Sequence, residues 1–240
     1  MELDAIFQCH KNPLSTFECL QSFRKFYPDS KVILLSDNGY DYTEMAKHLN
    51  CTYVHETRHC GLSAKVTEGY LQTVERLLKM ITQIHSEYFI LLEDDVNIIK
   101  KYTEEFKGDI NGNCINKIRK SVFDRIPFAP AIREDTFYTG HGGSVYKTGT
   151  ILGVLNNDDQ IKWLIANWES VGLGPMVDVD IFLSLLVLIN GGTIHHLTQH
   201  KDLITNDITD CSSVSVLHQV KKSYGIPLSE NLSYLLPQKM

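Results

Sequence analysis

The chain has 240 residues, 23 of them basic and 29 acidic, for a net charge of −6; 43% hydrophobic and 22% charged residues are ordinary globular composition and exclude wholesale disorder. At roughly 150 residues per domain this is one large domain or two small ones, and the acidic balance argues against a nucleic-acid groove, which needs a basic footprint. The longest apolar run, residues 181–189 with one serine, falls far short of the ~20 residues that span a bilayer.

Glu2 and Asp4 precede the first apolar stretch, which does not resemble a secretory signal. Six cysteines (Cys9, Cys19, Cys51, Cys60, Cys114, Cys211) lack CxxC spacing, and a core of this size needs no disulfide staple. Reduced thiols in a cytoplasmic protein are expected.

In chain order, residues 5–9 form a short apolar strand, and Asn12-Pro13 supplies an N-cap and a first-turn proline for a helix. Leu14, Phe17, Leu20 and Phe23 carry that helix at 3.6-residue spacing. Residues 31–36 (KVILLS) read as a buried strand ended by the Asp37-Asn38-Gly39 turn. A short helix over 43–49, a strand over 51–55 and a long helix over 63–84 follow, the last carried by Val66, Tyr70, Val74, Leu77, Leu78 and Ile81. Residues 88–92 (YFILL) form a strand that runs into Glu93-Asp94-Asp95. Residues 96–140 are less regular. After them come a Gly-rich turn at 140–143, a strand over 144–146, two short helices over 148–168 and a Gly-Pro loop at 172–175. A helix over 179–190 and a strand over 193–197 complete the pattern.

Strands apolar on both faces, alternating with helices, imply a mostly parallel sheet covered by helices. Ligands of such sheets sit beyond the carboxyl ends of the strands, which singles out residues 8–10, 37–39, 55–58 and 93–95. Three carboxylates at the end of a buried strand cannot all stay ionised without a compensating cation. A hard divalent ion meets that need, since Mg²⁺ or Mn²⁺ takes one or two carboxylates together with substrate phosphates. A solvated acidic turn capping a helix from about residue 97 is the plainer alternative.

The β-α-β-α start, Ser36-Asp37-Asn38-Gly39 after the second strand and Leu92-Glu93-Asp94-Asp95-Val96 after a later one resemble the GT-A glycosyltransferases. Gly142-Gly143-Ser144, Asp178-Val179-Asp180 and Gly191-Gly192 then follow in the matching order. The likeness runs over the whole chain. The opening, residues 9–42, is similar to glycosyltransferase domains of large DNA viruses, which implies a host cytoplasm as location.

The resemblance implies an α/β fold with a mixed, mostly parallel, Rossmann-like sheet. One domain spans 1–240, with a nucleotide-sugar half at 1–100 and an acceptor half at 101–240. It also implies a metal-dependent transfer of a hexosyl or deoxyhexosyl group from a nucleotide diphosphate sugar, a UDP-sugar, to a glycan hydroxyl. By that resemblance Gln8, Cys9 and His10 flank the nucleoside through their backbone, Asp37 holds uracil or ribose, and Arg58 and Lys65 meet the diphosphate. Glu93 takes the first place of the DxD motif, a departure to ExD. Asp95 and Glu93 coordinate Mn²⁺ or Mg²⁺, and Asp94 or Glu93 contacts ribose or a metal-bound water. Gly142 and Gly143 permit close approach of a sugar. Asp180 is the catalytic base, with Asp178 and Glu169 as substitutes, and His200 closes the metal sphere.

Each role has a plainer counterpart: an Asx turn at Asp37, solvated cations at Arg58 and Lys65, a tight turn at Gly142-Gly143, helix capping by Asp178 and Asp180, and a core histidine at His200. Trp163 and Trp168 are packing residues before they are a sugar platform. Two other functions stay open. A sugar-phosphate nucleotidyltransferase shares such a sheet, although residues 8–15 (QCHKNPLS) lack its Gly-rich triphosphate loop. A non-catalytic nucleotide- or glycan-binding module is the other.

Overall fold

The computed structural model describes residues 2–57, 63–65, 68–114, 116–202 and 212–218. Its strands are β1 Asp4–Cys9, β2 Val32–Asp37, β3 Thr52–Glu56, β4 Ser63–Lys65, β5 Tyr88–Leu92, β6 Asn97–Ile98, β7 Ile110–Gly112, β8 Asn116–Ile118, β9 Thr136–Tyr138, β10 Val145–Lys147, β11 Met176–Asp178, β12 Ile194–His196, β13 His200–Asp202 and β14 Val216–His218. Its helices are α1 Pro13–Phe26, α2 Thr43–His48, α3 Glu68–Ile81, α4 Lys120–Phe123, α5 Thr148–Leu155, α6 Asp158–Asn167 and α7 Val179–Ile189.

Seven strands make the main sheet in the order β12-β7-β10-β5-β1-β2-β3. β10 runs antiparallel to both its neighbours, and every other pairing in the sheet is parallel. The period of two along each strand sorts the core into two layers. Ile6, Ile33, Leu35, Phe89 and Leu91 pack with α3, α5, α6 and α7 on one face. Ala5, Phe7, Leu34, Ile90 and Leu92 pack with α1 and α2 on the other. This is the mixed, mostly parallel α/β architecture expected from the sequence. No helix among the described residues is long and apolar enough to cross a membrane.

Three departures matter for the site. The helix expected from residue 63 begins only at Glu68, because Ser63–Lys65 is a strand paired antiparallel with Met176–Asp178. Tertiary pairing there overrides the helical preference of Ala64 and Lys65. Asn97–Ile98, expected at most to open a helix, is a strand paired with β14. The tail beyond His200, unreadable from sequence, supplies β13 and β14, which join β6 in a three-stranded sheet. A two-residue strand and a polar tail carry no periodicity, so neither element had a pattern to reveal it.

Both tryptophans are structural. Trp168 is fully buried and tilted over Phe182, and Trp163 meets Phe128 edge to face. Cys9 and Cys19 are buried; with Cys51 and Cys114 they are free thiols, while Cys60 and Cys211 lie outside the described residues.

Candidate functional site

The parallel strands β1, β2 and β5 end on one edge of the sheet, where their backbones stop pairing and loops diverge. At β5 the backbone turns at once, with Val96 N–H donating to the Glu93 carbonyl over 3.1 Å. Val96 itself is fully buried. This turn anchors the acidic triplet: Val96 goes into the core, and Glu93, Asp94 and Asp95 stay at the edge.

Glu93 and Asp95 converge with His218 at the end of β14. His218 Nε2 lies 3.3 Å from Glu93 Oε2 and 3.6 Å from Asp95 Oδ1. One potential ligand atom from each of the three lies within 4.8 Å of the others. Nδ1 of His218 faces Asp202 Oδ2 at 3.4 Å, the carboxylate–histidine arrangement that orients metal-bound imidazoles.

Charge behaves here as a cation seat requires. Burial pushes the His218 ring toward neutrality, but its hydrogen bond to Glu93 and the charges of Glu93, Asp95 and Asp202 prevail and raise its pKa. Burial works upward on Glu93, yet the His218 contact and the nearby histidines bring its pKa below the usual value. Asp95 is raised by burial, with Glu93 and Asp94 adding and His218 opposing. The imidazolium proton is the positive charge these carboxylates call for. The two carboxylates fit Mn²⁺ or Mg²⁺ by donor type, and the imidazole nitrogen, a softer ligand, favours Mn²⁺ of the two.

The Gly-rich turn lies against this cluster. A Cβ at Gly142 would come within 2.5 Å of both Glu93 Oε2 and His218 Nε2, so any larger residue displaces those two side chains. Gly143 has φ +81 and donates its N–H to the Leu91 carbonyl over 2.7 Å. His200 does not join the three. It is fully buried behind Gly143, its ring held neutral by burial with a pKa lowered to about 3. His218, and not His200, is the histidine that lies beside Glu93 and Asp95. His195 and His196 lie on the edge strand β12, where His196 Nδ1 accepts from the Cys114 N–H over 3.1 Å.

On the far side stands Asp180. Asp178 is the helix cap: its Oδ1 accepts from the Asp180 N–H over 2.9 Å. Asp180, read from sequence as the base with capping as the plainer alternative, points at His141, with Oδ1 3.6 Å from Nδ1. Burial, then Glu93 and Asp178, push the Asp180 carboxyl up to about 8. His141 is buried and held down to about 4, chiefly by that burial, with Tyr146 Oη 3.2 Å from its Nδ1. Glu169 is exposed in the turn that follows α6.

The β1–β2 corner is built from mutual contacts. Gln8 Nε2 donates to Asp37 Oδ2 over 3.2 Å, and the buried Arg76 guanidinium pairs with Asp37 Oδ1 at 2.5 Å. Asp37 thus has one oxygen on Arg76 and the other on Gln8. Cys9 turns its thiol to the Leu35 carbonyl, and burial raises its pKa well above the usual value. His10 Nδ1 is 2.7 Å from the Asp37 carbonyl, while the His10 carbonyl accepts from Tyr40 N–H. Asn12 does not cap α1 with its side chain but donates it to Asp94. Lys65 is placed at the end of β4 across from Met176, and Arg58 lies outside the described residues.

His218, Arg76 and His141 were not singled out from sequence, and Asn12 was read only as a helix cap. Only His141 had a signal, an imidazole set inside the run Gly140-His141-Gly142-Gly143.

Such a sheet, with an acidic turn after its central strand and a mixed, mostly parallel order, defines a GT-A-like fold. The chain is similar to the galactosyltransferase LgtC solved in complex with donor and acceptor sugar analogues, at TM-score 0.53 and 12% identity over 98% of this chain and 100% of that one. An active-site mutant of LgtC is equally similar, at TM-score 0.54, 12% identity and the same coverage. The bifunctional IspDF of Campylobacter jejuni aligns with 82% of this chain at TM-score 0.44 and 15% identity, and the chain spans 49% of its length. No family model and no curated protein matches the sequence.

Proposed function

We propose that the protein is a metal-dependent glycosyltransferase that moves a sugar from a UDP-sugar or related nucleotide sugar to a hydroxyl acceptor. The observation that carries this reading is the convergence of Glu93, Asp95 and His218 at the carboxyl edge of the parallel strands, with Asp180 beside His141 of the adjoining Gly-rich turn. The likeness of fold to a galactosyltransferase supports it.

Glu93, Asp95 and His218 would hold Mn²⁺ or Mg²⁺, and Asp202 would orient His218. A bound divalent ion supplies positive charge for the diphosphate as it leaves. The β1–β2 corner, Gln8 to His10 with Asp37 fixed by Arg76, seats the nucleoside. Asn12 holds Asp94 toward the ribose side, and Lys65 with Arg58 serves the diphosphate. Gly142 and Gly143 let the turn pack directly against Glu93, His218 and His200, which fixes the metal-holding side chains rather than making room for a sugar. In an inverting transfer, Asp180 takes the acceptor proton as the new oxygen–carbon bond forms and the bond to UDP breaks. In the metal-free protein, burial and then Glu93 and Asp178 raise this carboxyl to about 8, the direction that makes it a stronger base. Asp178 fixes the helix start that presents it.

A panel of nucleotide sugars scored for UDP release, with and without Mn²⁺, tests the reading. Release from one donor that depends on Mn²⁺ and on Asp95 is expected. No metal-dependent release from any donor would reject it.

A further inference from the structure

A cleft of about 430 Å³ lies between β8, the turn after α4 and the loop that follows α6. That volume suits a small-molecule site. Lys117, Arg119 and Arg125 line it, and no acidic side chain does, in a chain whose net charge is −6. Val122 and Leu173 give it an apolar wall. Three cations gathered on one concavity, with no carboxylate among its lining residues, give it a positive potential that attracts an anion. Among the described residues none of the three forms an ion pair. Lys117 rests over the Phe137 ring at 5.0 Å, and Arg125 reaches the Ser170 carbonyl at 3.4 Å.

The cleft also adjoins the proposed base. Ile181, one of its lining residues, follows Asp180 in the chain. Tyr138, another, has its phenol pKa raised by burial and by the charges of Asp178 and Asp180. The cationic wall and the carboxylate pair therefore lie at the same end of α7.

We propose that this cleft is the acceptor subsite and that the acceptor carries an anionic substituent, a phosphate or a carboxylate, beside the hydroxyl that receives the sugar. The assignment rests on the glycosyltransferase reading. Arg119 and Arg125 present planar forks suited to either anion, and Lys117 adds a point charge. The apolar wall takes the ring face.

The test is calorimetric titration of glucose 6-phosphate, glucuronic acid and methyl glucoside into the full chain in EDTA at low salt. Metal-free conditions keep anions off the Glu93–Asp95–His218 cluster. At least one charged sugar binds about tenfold or more tighter than methyl glucoside, the margin of one good charge-assisted contact. The phosphate and carboxylate arms tell which anion is preferred. Lys117→Gln with Arg119→Gln removes that margin, and salt at about 1 M, where the Debye length is roughly 3 Å, reduces it sharply. Both side chains are exposed, so the variant folds, and circular dichroism verifies it. Equal binding of all three sugars, no binding of any, wild-type affinity in the double variant, or inorganic phosphate binding as tightly as glucose 6-phosphate each overturns the proposal. None of these arms needs a donor, so loss of UDP release with binding intact rejects the glycosyltransferase reading alone.

Discussion

The side-chain amide of Asn12 donates to a carboxylate oxygen of Asp94, joining the start of α1 to the turn after β5. This contact explains why α1 begins without a side-chain cap, since the residue in the capping position serves the acidic turn instead. It also separates Asp94 from Glu93 and Asp95, which face His218. In the proposed enzyme Asn12 is a positioning residue. Asn12→Ala is expected to lower stability by about 1 kcal/mol and to weaken UDP binding in Mn²⁺ roughly 10-fold, the lower end for a lost supporting partner. Calorimetry beside chemical denaturation checks both, and unchanged UDP affinity would remove Asn12 from the site.

His218 and His200 invite a direct comparison. His218→Gln should weaken Mn²⁺ binding by more than the roughly 10–100-fold that an outer partner costs. It should also abolish the extra thermal stability that UDP gives only when the ion is present. EDTA should do the same to the wild type. His200→Gln should leave the Mn²⁺ dependence in place while lowering the melting temperature, because the ring is buried among Gly143 and its neighbours. Thermal melts with UDP, with and without EDTA, decide between the two histidines. A reversed result returns the role to His200.

Asp180→Asn is expected to keep UDP and metal binding and to lose transfer by about 10²–10⁴-fold. The cap survives because it is Asp178 that accepts the Asp180 N–H. The pH dependence of stability gives an independent readout. The carboxyl ordinarily titrates at 3.8 and is raised to about 8 in the folded protein by burial, then by Glu93 and Asp178. Between those values the folded state binds more protons than the unfolded chain, so wild-type stability falls with rising pH relative to the Asn variant. Denaturation of both proteins in metal-free buffer from pH 4 to pH 9 checks the sign. A constant difference across that range would show an ordinary carboxylate.

Two glycines should fail in different ways. A Cβ at Gly39 would lie 1.7 Å from the His10 carbonyl oxygen, a backbone atom that also accepts from Tyr40 N–H and Tyr42 Oη. Gly39→Ala should therefore cost upward of ~4 kcal/mol, the range kept for severe core or backbone lesions. At Gly142 the atoms in the way are the ends of the Glu93 and His218 side chains, which can swing aside. Gly142→Ala should fold and lose Mn²⁺-dependent UDP binding. Melting curves and titrations together distinguish the outcomes, and a folded Gly39→Ala of wild-type stability would contradict the contact.

Legibility in the sequence followed physical pattern. β1, β2 and β5 are apolar on both faces and were readable as central parallel strands, and the acidic turn after β5 stood out against them. Asp178 and Asp180 were visible as a pair at a helix start, but which one capped was not, because both spacings permit a bond to a first-turn N–H. His218 was hidden in a polar tail whose strand has three residues and no repeating pattern. Arg76 gave no sign either: on the amphipathic helix α3 a cation reads as solvent-facing, and only the fold shows it buried against Asp37.

β14 has a consequence for how a working molecule comes to exist. Translation delivers β1, β2, β5 and the Gly142 turn well ahead of His218. Until β14 is added, Glu93 and Asp95 lack the imidazole that balances them. A product stopped anywhere before β14 is fixed at that stage, holding an uncompensated pair of carboxylates. Possession of the sheet and possession of the site are separate events in the life of one molecule.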